Sequence, residues 1–214
     1  MKPFARFKSA LIILIPLDAA LILLHCLYLQ GMLGERFSIE NEMGYAESYQ
    51  HIKQLAVALA AFALLLKGAD LLYLCWTLLF TYLFIDDSFE LHETLGLRLS
   101  NNFTSAYGLR TQDYGELLVS ITAGLVFVVL LAISYRRGKR KARDESKVLL
   151  PMVLVLAFFG ILVDMAHVEV ASNPWHHRLG IIEDGGELLV MSIILWYVFT
   201  NLQENVLGLP RRRA

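Results

Sequence analysis

Five ionisable side chains lie within the ten residues FIDDSFELHE at positions 84–93: Asp86, Asp87, Glu90, His92 and Glu93. They follow the apolar run LLYLCWTLLFTYLFI, so the chain places several acids where a membrane helix would end. Carboxylates and imidazoles bind divalent metal ions, transfer protons, or simply enter water at the membrane surface. Which of these applies depends on the residues that the fold brings beside them.

Acidic and histidine residues also lie near the corresponding ends of other apolar segments. They are Glu47, His51, Glu116, Asp164, His167, Glu183 and Glu187. Counted at about 1.5 Å per residue along a helix, all of them reach a similar depth in one bundle. Apart from Asp18 and Asp70, the opposite half is predicted to be nearly free of acids. This asymmetry favours a site at one end of the bundle.

The spacing of these residues is typical of a metal site in a helical bundle. Residues three or four positions apart share one helix face and present two ligands in one direction. Three pairs have this spacing: Asp87 and Glu90, Asp164 and His167, and Glu183 and Glu187. Two helices with such a pair and two with a single glutamate resemble the ferritin-like di-metal carboxylate sites. The resemblance concerns only the roles of these positions, and it fails where Glu90 replaces a second histidine.

The predicted site has seven metal ligands and two candidate general bases. The ligands are Asp86, Asp87, Glu90, Glu116, Asp164, His167 and Glu187, and the bases are Glu183 and Glu93. An alternative helix face, Asp86, Glu90 and Glu93, has equally good phase, and the same phase points His92 away from Asp86. Carboxylate-rich ligation favours one or two ions of iron or manganese, with zinc or calcium as alternatives.

Converging carboxylates near the hydrocarbon boundary repel one another unless something positive lies between them. A divalent metal or bound protons would relieve this repulsion. The alternative is that the carboxylates are solvated and pair with Arg98, Arg110 and Arg178 of the predicted outer loops. His176 and His177 are then read as part of an interfacial loop beside Trp175.

Composition indicates that the chain is an integral membrane protein. Hydrophobic residues make up 57% of its 214 residues and charged residues only 18%. We predict an all-α, single-domain bundle over residues 1–214 with six transmembrane helices. The predicted spans are about 10–29, 52–67, 69–86, 114–135, 148–167 and 181–200.

The basic clusters predict the orientation of the bundle. The positively charged start of the chain, the run RRGKRKAR at 136–143 and the final RRR all fall on one side of the predicted spans. The positive-inside rule therefore places both termini in the cytoplasm, in a membrane such as the bacterial inner membrane. Because this rule accounts for the basic run, we expect no nucleic-acid partner. The expected partners are membrane lipids and a small amphiphilic substrate.

Two segments share a sequence pattern that indicates an internal repeat. The motif Asp-x-Gly-Glu-Leu-Leu-Val occurs at residues 113–119 and again at 184–190. Since the two motifs open corresponding predicted helices, the hairpins 69–135 and 148–200 are interpreted as duplicates.

Two classes of function fit these features. The first is a metal-dependent enzyme, either an oxidoreductase or a hydrolase, that acts on a lipid, a quinol or another amphiphile at the outer face. The second is a proton- or cation-coupled transporter that uses the same acidic cluster. The second class needs a polar path through the inner half, where Asp18 either faces the bundle interior or bonds a backbone group freed beside Pro16.

Overall fold

A computed structural model describes residues 5–106, 109–169 and 175–207 and places them almost entirely in helices. Within these ranges seven helices form and no strand does. They are α1 (Ala5–Leu29), α2 (Tyr45–Gly68), α3 (Leu71–Ser88), α4 (Leu91–Leu99), α5 (Thr111–Arg137), α6 (Arg140–Glu169) and α7 (His176–Leu207). The all-helical prediction is confirmed for this part of the chain.

Five of these helices are long and apolar enough to cross a membrane, as expected of an integral membrane protein. These stretches are Leu11–Leu29 of α1, the whole of α2, α3 and α5, and Arg140–Glu169 of α6. The sixth predicted span, 181–200, lies inside α7, which is not among the five. A six-span bundle therefore stays a prediction.

Helix α7 lies at the centre of the bundle and packs against α1, α2 and α6. Its Met191 and Ile194 are fully buried, as are Val57 of α2 and Phe80 of α3. The other faces of α1, α5 and α6 carry exposed aliphatic side chains along their lengths, as lipid-facing helices do. The internal core and the apolar exterior together indicate a bundle surrounded by hydrocarbon.

Asp70, one of the two acids predicted for the inner half, is held by structural contacts, and a further buried acid lies in the same half. Asp70 accepts hydrogen bonds from the Leu72 amide, at 2.9 Å, and from the Lys139 amide, at 2.7 Å. It therefore caps α3 and ties the α2–α3 turn to the α5–α6 turn. Glu145 is also buried and accepts a hydrogen bond from Tyr73 Oη at 2.7 Å. The prediction of a nearly acid-free inner half overlooked Glu145.

Helix α3 ends earlier than the predicted ligand pairs require. It stops at Ser88, and Glu90 has a left-handed backbone with φ of 50° before α4 begins. Asp87 and Glu90 therefore do not share one helix face, and neither do Asp86, Glu90 and Glu93. Both predicted ligand faces on this segment are wrong. Asp86 Oδ1 instead accepts a hydrogen bond from the His92 amide at 3.0 Å. The prediction that His92 points away from Asp86 is wrong because it assumed one uninterrupted helix.

Two glycines allow α4 to lie directly on the start of α5. A β-carbon at Gly96 would meet Glu116 Cγ at 2.5 Å, and one at Gly115 would collide with the Gly96 backbone. Helices approach this closely only where side chains are absent. The contact fixes α4, and with it Glu93, against the transmembrane part of the bundle.

A π-helical segment, Phe158–Val163, interrupts α6 just before Asp164 and His167. A β-carbon at Gly160 in this segment would collide with the Glu187 carboxylate of α7. A β-carbon at Gly186 would meet the Phe159 ring at 2.6 Å. The wide turn and the two glycines bring α6 and α7 together where the predicted ligands lie, as π-bulges often do at functional sites.

Candidate metal centre

A pocket of about 180 Å³ opens at one end of the bundle, between the α1–α2 loop, the α3–α4 turn and the starts of α2 and α7. We call it the acidic pocket because eight carboxylates and two histidines line it. These residues are Glu40, Glu42, Glu47, Asp87, Glu90, Glu93, Asp184, Glu187, His51 and His92. The predicted gathering of acidic side chains at one end of the bundle is therefore present in the structure.

Two of the three arginines that were predicted to pair with the acids have partners other than the carboxylates of the pocket. Arg110 binds Asp113 at 2.7 Å, and the Arg178 guanidinium lies 4.6 Å from the centre of the Trp175 ring. Among the described residues, the ion pairs of pocket carboxylates are with histidines and not with Lys or Arg. The alternative in which outer-loop arginines neutralise the acids is therefore not supported for Arg178, whereas the charge of Arg110 acts on Glu116 and Asp164 as well as on Asp113.

Asp86, Asp87 and His92 form a group whose possible ligand atoms lie within 4.8 Å of one another. His92 Nδ1 lies 3.2 Å from Asp86 Oδ2, and Gln54 donates a hydrogen bond to Asp87. Burial alone would lower the pKa of His92, but the hydrogen bond and the negative charges of Asp86 and Asp87 outweigh it and raise this pKa to about 9. A metal ion bound here would displace the imidazole proton.

The structure divides the remaining predicted residues between two places. Glu90, Glu93 and Glu187 line the acidic pocket. Burial, and then the charge of Glu42, raise the pKa of Glu93, as a general base near neutral pH requires. Asp164 and Glu183 lie beside the pocket with their carboxyl groups in contact, and a hydrogen bond between them requires one of the two to be protonated.

Glu183 and Glu116 have contacts that differ from their predicted roles. Glu183 Oε2 lies 2.6 Å from His167 Nδ1, so this acid orients a histidine and does not line the acidic pocket. Glu116 accepts a hydrogen bond from Gln112 at 2.7 Å and packs on Gly96. Three of the seven predicted ligands therefore line the acidic pocket, and Asp164 lies close enough to Glu116 and Glu187 for their charges to interact.

Several residues of the pocket were missed from the sequence. Glu40 and Glu42 belong to the α1–α2 loop, which folds over the pocket, and Asp184 lies on α7 three residues before Glu187. A loop has no periodic spacing that would assign its side chains to a site. For Asp184 a signal existed, since it is the first residue of the repeated motif at 184–190.

A buried ion pair lies directly beneath the acidic pocket. Lys53 Nζ is 3.2 Å from Asp18 Oδ1, and it donates hydrogen bonds to the Leu188 carbonyl at 2.6 Å and to Ser192 Oγ at 3.2 Å. Both charged side chains are 1% exposed or less. Of the two roles expected for Asp18, the structure shows the one that faces the bundle interior. Lys53 was not predicted to be part of a site, although it is a cation near the start of the predicted span 52–67.

The fold and the pocket together define a helical integral membrane protein with a cluster of carboxylates and histidines at one end. The chain belongs to the family described as "Domain of unknown function (DUF8692)", whose profile matches residues 15–201. This range includes the acidic pocket and all seven predicted ligands. No curated protein and no solved structure matches the chain.

Proposed function

We propose that the protein is a membrane metalloenzyme that binds one or two divalent cations in the acidic pocket. In this proposal α7 is a sixth transmembrane helix, the α3–α5 and α6–α7 hairpins are repeats, and both termini lie in the cytoplasm. The pocket then opens at the outer face of the membrane. Its substrate is a lipid, a quinol or another amphiphile.

One observation carries this proposal: eight carboxylates line one pocket, and no described Lys or Arg forms an ion pair with them. Carboxylates this close, beside the hydrocarbon region, are costly to keep charged without a cation. His92 supplies one positive charge in the metal-free protein. A divalent ion would supply more charge and would use the same oxygen atoms.

The donor set indicates which cation would fit. Asp87, Glu90 and Glu187 offer oxygen atoms, and His92 offers one imidazole nitrogen. Hard or borderline ions such as manganese or ferrous iron suit this mixture, and calcium suits its oxygen atoms. A bound ion would supply Lewis-acid or redox chemistry, and Glu93 is the candidate base because its pKa is raised and it lines the same pocket.

Exposed apolar side chains next to residues of the pocket support an amphiphilic substrate. Met43 and Phe89, which neighbour Glu42 and Glu90 in the chain, are 83% and 67% exposed. Exposed apolar side chains beside a polar pocket at the membrane boundary suit a ligand with an apolar tail and a polar head. The head would lie among the carboxylates and the tail against these apolar side chains.

A proton- or cation-coupled transporter is the second candidate, and the Asp18–Lys53 pair beneath the pocket is the observation that favours it. This pair extends the ionisable groups from the pocket toward the middle of the bundle. Further along the path, however, Asp70 is engaged by two backbone amides. An enzyme with a one-sided pocket therefore agrees better with these contacts.

Metal analysis of protein purified gently in detergent tests the proposal. We expect one or two divalent ions per chain, held by the pocket carboxylates. Protein that contains no stoichiometric metal, and that binds none when manganese, iron or calcium is supplied, would contradict it.

A further inference from the structure

A second group of ligand side chains lies at the edge of the acidic pocket and is rich in nitrogen donors. Glu40 of the α1–α2 loop meets His176 and His177 at the start of α7, with ligand atoms within 4.8 Å of one another. Ligand atoms around one zinc ion lie about 2.0–2.2 Å from it, and so no more than about 4.4 Å apart. The group is therefore close to the size that one ion requires.

Buried polar atoms without hydrogen-bond partners belong to this group and to the histidines beside it. They are Glu40 Oε1, His176 Nδ1, His167 Nε2 and His25 Nε2. His25 is fully buried, and its Nε2 lies 3.9 Å from Glu40 Oε1. Buried polar atoms are almost always satisfied, so several unpartnered ones on neighbouring residues favour a site that binds a ligand.

His167 is oriented as metal-bound histidines are. Its Nδ1 lies 2.6 Å from Glu183 Oε2, and in the tautomer that carries the proton on Nδ1 this nitrogen donates to the carboxylate and leaves the lone pair on Nε2. A carboxylate behind a histidine fixes the tautomer and raises the basicity of the ligating nitrogen. The His167 and His176 rings are 4.3 Å apart between centroids, so the His167 ring lies against a member of the group.

Gly180 leaves the space that Glu40 occupies. A β-carbon at this position would collide with Glu40 Oε1 and would lie 3.1 Å from His167 Cε1. The loop carboxylate therefore reaches the histidines only because α7 carries a glycine one turn after His176. This contact makes the position of Glu40 sensitive to a single methyl group.

We propose that Glu40, His176 and His177, with His167 as the fourth donor, form a transition-metal site that binds zinc. Imidazole nitrogen with one carboxylate suits zinc, whereas the oxygen-rich acidic pocket suits harder ions. The two sites share only the Glu40 side chain at their boundary. The zinc site does not depend on the function proposed for the acidic pocket.

Zinc binding to the full-length protein in detergent, measured by competition with a chromophoric chelator, tests this site. The variants are His177→Ala and Glu183→Gln. The matched control is His51→Ala, which removes a histidine of the acidic pocket. We expect one tightly bound zinc in the wild type and in the control. Glu183→Gln, which removes the orienting carboxylate, weakens binding by about 10–100-fold. His177→Ala, which removes a ligand, weakens it at least as much.

Circular dichroism and the melting temperature establish that each variant folds, and exposed His177 is the position most tolerant of change. Zinc affinity that is the same in His177→Ala, Glu183→Gln and the wild type would overturn the proposal. So would zinc binding that is lost in Asp87→Asn and retained in His177→Ala, because the zinc would then lie in the acidic pocket. Zinc binding that survives Asp87→Asn supports a separate site, whether or not the acidic pocket binds manganese.

Discussion

Lys53 and Asp18 form an ion pair whose members have little access to water. In the interior of a membrane bundle, such a pair is tolerated because each charge neutralises the other and further donors and acceptors complete the site. Here Ser192 and the Leu188 carbonyl complete it. The pair also joins α1 to α2 and α7 directly below the acidic pocket.

Lys53→Met removes the cation and leaves the Asp18 carboxylate buried without its partner. We expect the protein to lose about 3–5 kcal/mol of stability, as when one member of a buried ion pair is removed. Thermal unfolding in detergent measures this loss. The double variant Asp18→Asn with Lys53→Met removes both charges and should recover much of the stability. A double variant no more stable than Lys53→Met would contradict the pairing.

His92 makes the stability of the metal-free protein depend on pH. Its pKa rises from the usual 6.5 to about 9 in the folded protein, so the folded state binds the proton more tightly than the unfolded state. The contribution of His92 is therefore complete below pH 6.5 and is lost as pH rises toward about 9. With a chelator present, the melting temperature of the wild-type protein at pH 6 should be higher than that of His92→Gln. The difference between the two melting temperatures should vanish above pH 9. A difference that grows with pH would contradict this assignment.

The contact between α4 and α5 depends on two glycines, and it gives an element-scale prediction. Gly115→Ala places a methyl group into the Gly96 backbone and should cost about 1–3 kcal/mol, as overpacking does. Gly124→Ala on the same helix is the control, because its β-carbon would meet nothing within 4 Å. Melting temperatures in detergent compare the two. Equal effects of both substitutions would show that α4 does not lie on α5 as described.

At the scale of elements, apolar runs predicted most helices well and their breaks poorly. Long stretches of Leu, Val and Ile identify spans because a membrane requires about 20 apolar residues. The end of α3 at Ser88 is followed by a contact of Asp86 with the His92 amide, which local spacing does not reveal. The π-helical turn before Asp164 also has no periodic signature in the sequence.

At the scale of the whole molecule, the sequence predicted one acidic end but not how its residues are divided. The number of residues from the end of each predicted helix was enough to place Asp87, Glu90 and Glu187 at a similar depth, and all three line the same pocket. Glu40 could not be assigned because it lies in a loop, and the pairing of Glu183 with His167 depends on how α6 packs against α7. Such long-range contacts follow from tertiary packing and not from spacing along the chain.

The proposed orientation places the acidic end outside the cytoplasm. Single cysteines at Thr104 and Arg140, in a background with Cys26 and Cys75 replaced by serine, test it because both positions are exposed and lie at opposite ends of the bundle. A membrane-impermeant thiol reagent added to intact cells should label position 104 and spare position 140. Labelling of position 140 alone would reverse the orientation.

The central claim is that the carboxylates of the acidic pocket bind a divalent cation. Metal content and manganese affinity of detergent-purified protein, with the double variant Asp87→Asn and Glu90→Gln, measure it directly. The matched control is Asp144→Asn, an exposed aspartate at the other end of the bundle that binds Lys147. We expect one or two ions per chain in the wild type and the control, and loss of at least one ion in the double variant. Equal metal content and affinity in all three proteins, or the absence of metal from all of them, would contradict the claim.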